Sequence, residues 1–425
     1  MRRTIVLFLD GLRRDMLTDQ WTPNLARHAR AAESFAQHRS VFPSATRVVS
    51  SSVATGCLPA RHEMAGNSLV LIEDGRLVAH DAGHPDFLQH KRRVTGRSLA
   101  MPTLAERLAK HGGALIYANV SPGAAYAHDP DGHGHVYHRA GSFGPGRTPV
   151  TGWNASDIKL GIEGDRAMCD RFIADAILGS KLGSKPALAL FWCAEPDFTQ
   201  HASILGSPEH LAVLAAADAN AQRVIDAVAA ARASGDDILF VVASDHGHQT
   251  VSGVIDVEAE LIAAGLKDAE GSGDVVSVSN GTSALVYVHE TQAARIDAIG
   301  AFLARQAWAE HVIGRADLAS VGQAARNGLA FAVAMASTEV PNAFGIPGQS
   351  FAAKPAAGKA DHMGCGQHGG LARYEQSPFL LLQGPGFAPG IRRDAPSCVI
   401  DIAPTVLTHL GVQFAGLDGR ALQGG

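Results

Sequence analysis

Thr4-Ile5-Val6-Leu7-Phe8-Leu9-Asp10-Gly11 is the stretch whose reading decides the fold. Five apolar residues follow one threonine without the alternation of a half-exposed strand, and the run stops at an acid and a glycine. A run of this length and kind marks a strand buried on both faces, as in the middle of a parallel sheet. The pattern recurs at 114–120, 187–192, 237–243, 283–289 and 378–382, each followed by small, polar or charged residues. Ala-, Leu- and Arg-rich stretches with helical spacing lie between them, at 103–111, 210–231 and 291–307. This alternation predicts a three-layer α/β/α sandwich with a mostly parallel central sheet. Two segments break the rhythm. Residues 128–149 are rich in Gly, Pro and His, and 326–368 is a long stretch with Gly and Pro through its second half. With no internal repeat and no long linker, the expectation is one domain over 1–425, with caps inserted at about 126–180 and 251–365.

Composition narrows the function. The 425 residues are 46% hydrophobic and 18% charged, which suits a folded globular chain. Thirty-six Lys and Arg stand against 41 Asp and Glu, so a scaffold held to nucleic acid by phosphate contacts is not expected. Five scattered cysteines without a CxxC pair argue against a disulfide framework and against a structural zinc knuckle. The N-terminal apolar run stops at Asp10, too early for a signal-peptide core, and no run is long enough to span a bilayer. The reading is a soluble, cytoplasmic protein. Twenty histidines stand out in a chain that is not otherwise polar.

The acids and histidines cluster where an open α/β sheet binds ligands, beyond the carboxyl ends of its strands. Asp10-Gly11 follows the first run. Glu195-Pro196-Asp197 follows the third, with His201 four residues on, and Ser244-Asp245-His246-Gly247 follows the fourth. His368 precedes the last run. Three Asp and three His suit zinc or manganese, and six protein ligands suffice for two ions. Taken singly, each acid is equally well a turn former or helix cap. A hydroxyl cluster, Phe42-Pro43-Ser44-Ala45-Thr46-Arg47, precedes a helical stretch. Chemistry alone leaves Ser44 and Thr46 open as nucleophile or as N-cap.

These pieces resemble the alkaline phosphatase superfamily, in particular its nucleotide pyrophosphatase/phosphodiesterase branch, which is related to phosphonoacetate hydrolase. The resemblance runs in order through LDGLR (9–13), TPNLARHAR (22–30), SVFPSATRVVSSSVATGCLPARH (40–62) and AGN (65–67). It continues through EPDFTQH (195–201), SDHGH (244–248), GQHGG (366–370), SPFLLLQGPGF (377–387), DIAPTVLTHLGV (401–412) and LDGRAL (417–422). It implies two Zn2+ sites, with Mn2+ as the alternative. Asp10, Thr46, Asp245 and His246 would hold one ion, and Asp197, His201 and His368 the other. It also implies that Thr46 is the nucleophile rather than Ser44, and that Asn67 contacts a phosphoryl oxygen. The expected activity is hydrolysis of phosphate diesters or pyrophosphates through a phosphothreonine, on a small phosphorylated substrate such as a nucleotide.

Departures from that pattern keep alternatives open. Arg47, beside the nucleophile, is a candidate grip for a second charged oxygen, which would favour a phosphomonoester or a carboxylate-bearing substrate. The stretch ANVSPGAAYAHDP (118–130) lacks the paired lysines of phosphonoacetate hydrolase, so C–P cleavage is a third option. Cys57-Leu58-Pro59-Ala60-Arg61 fits the sulfatase CxPxR pattern but follows Thr55-Gly56 instead of preceding it, and Cys57 is expected to be structural. His248 is a candidate substrate contact or a support for the neighbouring ligands. His128, His133, His135 and His138 are candidates for a further metal site or a lid, and Tyr126, Tyr137 and Phe143 for stacking on a base. A reading from a different class is an inert, metal-stabilised binding protein. Thr46 beside a full ligand set argues for the enzyme.

Overall fold

The computed structural model describes residues 2–151, 158–179 and 185–424. A ten-stranded sheet forms its centre, in the order 392–393, 33–35, 380–383, 237–243, 2–9, 188–193, 114–118, 135–137, 143–144, 148–149. Arg2–Leu9 pairs in parallel with Leu188–Cys193 on one side and Asp237–Ala243 on the other, and Leu188–Cys193 pairs in parallel with Ala114–Ala118. The two-residue period of the first strand shows how the layers form. Val6 and Phe8 pack with Val48, Val49, Val53, Val406 and Leu407 of helices Thr46–Thr55 and Ile402–Leu410. Ile5, Leu7 and Leu9 pack on the opposite face with Met168 and Phe172 of helix Ile162–Phe172 and with Leu214, Ala221 and Val224 of helix Pro208–Ala233. The result is the mixed α/β fold expected, with a large, mostly parallel sheet.

Several expectations change. The run at 283–289 is a strand, Ser283–Val288, but it belongs to a separate antiparallel sheet with Val275–Ser279, Leu329–Met335 and Ala309–Gly314. It reads like a parallel strand because both its faces are covered. Ala284, Val286 and Val288 meet one apolar cluster, with helices Val257–Ala263 and Ile296–Leu303, while Leu285 and Tyr287 meet another. The stretch 326–368 is not irregular: it holds strands Leu329–Met335, Ser337–Pro341 and Pro347–Ala353. The last core strand, Leu380–Gln383, runs antiparallel to Asp237–Ala243. Within 126–180, short strands at 135–137, 143–144 and 148–149 extend the main sheet. Among the described residues no helix is long and apolar enough to cross a membrane.

Two local arrangements position the site. Gln249–Ile255 pairs with Gly366–Gln367 through Gln249↔Gln367, which sets His368 beside His248. A hairpin of Ser68–Glu73 and Arg76–Asp81 leaves from Asn67 and returns at Asp81, and the Asn67 carbonyl accepts from Ala82 N–H at 2.9 Å.

Candidate active site

The three central parallel strands end side by side, so Asp10, Asp197 and Asp245 converge at one edge of the sheet. Asp10, Asp245 and His246 form one group and Asp197, His201, His248 and His368 another. Within each group the ligating atoms all lie within 4.8 Å of one another. His246 Nε2 is 3.0 Å from Asp245 Oδ2 and 3.5 Å from Asp10 Oδ1. Asp197 Oδ1 faces the Nε2 atoms of His248, His201 and His368 at 2.8, 3.4 and 3.5 Å.

The imidazoles are aimed by their far nitrogens. The Nδ1 atoms of His201, His246 and His368 lie 3.1, 3.1 and 2.7 Å from the carbonyls of Gly366, Gly247 and Ser44. Donation to those carbonyls places the proton on Nδ1 and turns the Nε2 lone pair toward the acids. A lone pair facing a carboxylate calls for a cation between them. Asp10 Oδ1 and Asp245 Oδ2 are buried without a hydrogen-bond partner, while their other oxygens accept from Trp192 Nε1 and Gly11 N, each at 3.0 Å.

The electrostatics agree. Burial, then the charges of Asp245 and Asp197, hold Asp10 well above the usual carboxylate range. Burial also pushes Asp197 up, but His201, His248 and His368 outweigh it and hold it well below. Burial lowers His201 and His368, whereas at His246 the neighbouring Asp245 overcomes burial and raises it. Crowded carboxylates with oriented imidazoles are the donor set that zinc or manganese takes.

Thr46 shares one cavity wall with Asp10, Asp197, His201 and His368. Helix Thr46–Thr55 begins at this residue, and Ala45 occupies the cap position without a side-chain bond. Thr46 is therefore not the cap. Its Oγ1 is 3.2 Å from His246 Nε2. Ser44 is committed elsewhere: its hydroxyl donates to the Gly370 carbonyl and accepts from Gly369 N–H. Asn67 accepts from the Arg47 amide at 3.1 Å through Oδ1 and shares with Thr46 and Arg47 the wall of a cavity of about 380 Å³.

His248 is corrected as a substrate contact. It is fully buried, bonded to Asp197 and absent from the cavity wall, and burial lowers it to about 3. The loop histidines gather no metal group among the described residues. His128 is buried against Trp192, and His138 is buried with its Nε2 2.9 Å from the Val120 carbonyl. Tyr126, Tyr137 and Phe143 are core: Tyr137 stacks on Tyr117, and Tyr126 donates to the Gly141 carbonyl. The exposed apolar surface at the cavity is Phe198 and Leu160 instead. Cys57 is buried after the far end of the helix that Thr46 opens.

Other wall residues carried no signal in the sequence. Asp81 ends an ordinary hairpin, Gly83 and His84 follow it, and Arg139 sits in the Gly-rich segment. Asp165 accepts from the amides of Ala194 and Glu195 and from Asn119, fixing the turn that delivers Asp197. Trp192 offered one clue, since a buried indole needs a partner for its N–H.

This fold and site define a hydrolase of phosphoric esters. The chain belongs to the type I phosphodiesterase / nucleotide pyrophosphatase family, whose model matches residues 4–353. Murine ectonucleotide pyrophosphatase / phosphodiesterase 5 shares its fold with a TM-score of 0.68 at 18% identity, over 98% of this chain and 97% of that one. The human form superposes with a TM-score of 0.67 at 17% identity, over 98% and 97%. An inactive variant of the murine protein in complex with AMP gives 0.68 at 17% identity, over 99% and 97%. No curated protein matches the chain by sequence.

Proposed function

We propose that this protein hydrolyses phosphate diesters or pyrophosphates, nucleotides among them, in two displacements at phosphorus with Thr46 as the nucleophile. The observation that carries the reading is the Thr46 hydroxyl at a helix N-terminus, 3.2 Å from His246, in one cavity with Asp10, Asp197, His201 and His368 of the two cation-seeking clusters. Asp10, Asp245 and His246 would hold one divalent ion, with Thr46 completing its ligands, and Asp197, His201 and His368 the other. Bound there, the ions supply Lewis-acid stabilisation of the charge that develops on the attacking, transferred and leaving oxygens.

The residues do the rest. Thr46 Oγ1 attacks phosphorus while the leaving oxygen departs on the opposite side. The positive end of the helix dipole faces the phosphoryl group. With Oδ1 engaged by the Arg47 amide, the Asn67 amide nitrogen is left to donate to a non-bridging oxygen. Water then cleaves the phosphothreonine ester and restores the hydroxyl. Phe198 and Leu160 supply the apolar face for a nucleoside, and the AMP complex of the murine neighbour supports a nucleotide substrate.

With zinc or manganese restored, bis(p-nitrophenyl) phosphate is expected to turn over faster than p-nitrophenyl phosphate. A preference for the monoester would overturn the substrate class and leave the metal chemistry standing.

Arg47 adds a requirement for a second anion. Its Nε donates to Ser121 Oγ at 3.1 Å, and Asp81 pairs loosely with its Nη2 at 4.0 Å, which leaves the guanidinium room for a closer anion. A Cβ at position 83 would stand 2.3 Å from Nη2, so glycine there leaves room for the guanidinium. On the same wall, Arg139 is anchored by the carbonyls of Asn119 and Val120. Two fixed guanidiniums suit a substrate with a charged oxygen beyond the scissile phosphorus, such as a nucleoside triphosphate. Arg47→Ala is expected to raise KM for ATP roughly 10- to 100-fold, the worth of a charge-assisted hydrogen bond, and to spare the p-nitrophenyl ester of thymidine 5′-phosphate. Gly83→Ala should reproduce part of that loss. Equal losses on both substrates would mean that Arg47 only supports the helix.

A further inference from the structure

A third set of ligating side chains lies on the hairpin, apart from the two groups already described. Glu73 ends the strand Ser68–Glu73, His80 lies on Arg76–Asp81, and His90 lies on helix Phe87–Thr95. The Nε2 atoms of His80 and His90 stand 2.5 and 2.8 Å from one oxygen, Glu73 Oε1. The two rings are 4.9 Å apart, and the His80 ring rests 5.9 Å from the buried Phe87 ring. The side chains of Glu73, His80 and His90 are 24%, 19% and 31% exposed, so each is partly covered and the cluster remains reachable from solvent.

We propose that Glu73, His80 and His90 bind a third divalent ion of the zinc class, which acts as a structural clip. Two imidazoles and a carboxylate are a zinc donor set, and the access of solvent leaves the fourth position to water. Zinc bonds of about 2.0–2.2 Å separate neighbouring ligand atoms by about 3.3 Å. The three ligating atoms, all within 4.8 Å of one another, reach that spacing by small side-chain rotations. Two unlike elements meet here, a hairpin and a helix, so the ion would tie them together.

That tie bears on the catalytic cavity. The hairpin runs from Asn67 to Asp81, and the helix follows His84, and all three of these residues stand on the cavity wall. The ion would thus hold the wall that carries the counter-charge of Arg47 without touching the substrate. The site does not depend on the proposed activity, and its test counts ions.

The full-length protein would be stripped with a chelator, dialysed against zinc, and its bound metal counted. The expected result is three equivalents for the wild type and two for His90→Gln and for Glu73→Gln, with diester turnover retained in both. An Asp197→Asn, His201→Asn protein should lose a different equivalent, and adding His90→Gln to it should remove one more. Equal counts in wild type and both hairpin variants would overturn the proposal, as would a third equivalent that survives both. Because the readout is the difference between wild type and hairpin variants, it stands whether or not the catalytic reading holds.

Discussion

Thr46→Ala is expected to lower kcat by at least about 10³-fold, more than 4 kcal/mol of barrier, while the protein stays folded. The size follows from removing the attacking atom rather than a contact. What remains, the oriented donors and the bound ions, polarises the phosphorus but leaves only free water to attack it. The cost to folding is small, because among the described residues the Thr46 hydroxyl bonds only to His246 and the cap position belongs to Ala45. One lost hydrogen bond is worth about 1 kcal/mol. Thr46→Ser restores a hydroxyl at the same helix position and should recover much of the rate. Circular dichroism and the diester assay decide the matter together: a folded Thr46→Ala protein with near-normal turnover would remove Thr46 from the reaction.

The second large effect is acid unfolding. Burial is the main cause that lowers His28, His138 and His210 to about 4, and His38, His62 and His128 to about 3. Geometry explains why three of them resist protonation. His62, His138 and His210 accept backbone N–H bonds at Nδ1, from Met64, Ala140 and Gly206. Charging them would break those bonds. These are depressed folded-state values, so their stability is fully present above the unfolded value near 6.5. It is lost as pH falls from there toward 4. Each imidazole costs about 1.4 kcal/mol per pH unit once the unfolded chain takes up its proton. Six together, at about 8 kcal/mol per unit, match the whole stability of an ordinary domain. Urea midpoints of the chelated protein should therefore fall steeply between pH 6.5 and 5 and stay flat from 7 to 8. A midpoint unchanged at pH 5 would contradict the buried-neutral assignment.

That prediction also explains the histidine enrichment. Twenty histidines stand out in the sequence as candidates for chemistry, some of them at strand ends, and the structure divides them. His201, His246 and His368 face the site with His248 behind them, while others such as His62 and His138 serve the packing. Nothing local separates the two uses, because burial and a carbonyl partner are set by distant segments. Asp10, Asp197 and Asp245 were legible because each follows a buried strand, and parallel neighbours bring strand ends together. The choice between Ser44 and Thr46 was not legible from chemistry. It turns on Gly369 and Gly370, more than 300 positions away, which occupy the serine.

The second sheet hid for a related reason. Ser283–Val288 is covered on both faces, and its apolar run is indistinguishable from that of a parallel core strand. Leu329–Met335, LAFAVAM, is too rich in alanine to announce a strand, and packing overrides that propensity. Tyr137 and Phe143 read as free aromatics because they fall in a Gly-rich segment, and Tyr126 because it sits just before it, yet that segment extends the sheet to its edge and all three are buried. The Arg47 cradle needed Gly83, Ser121 and Asp81 in one place, a meeting only the hairpin's return to Asn67 arranges.

The central claim is covalent catalysis by Thr46, and trapping the adduct tests it most directly. The metal-restored enzyme would be mixed with a nucleoside 5′-phosphate p-nitrophenyl ester, quenched in acid within a turnover, digested, and its peptides weighed. The account predicts a nucleotidyl group on the peptide containing Thr46, absent from Thr46→Ala. An adduct on another residue, or turnover with inversion at phosphorus and no adduct, would contradict it.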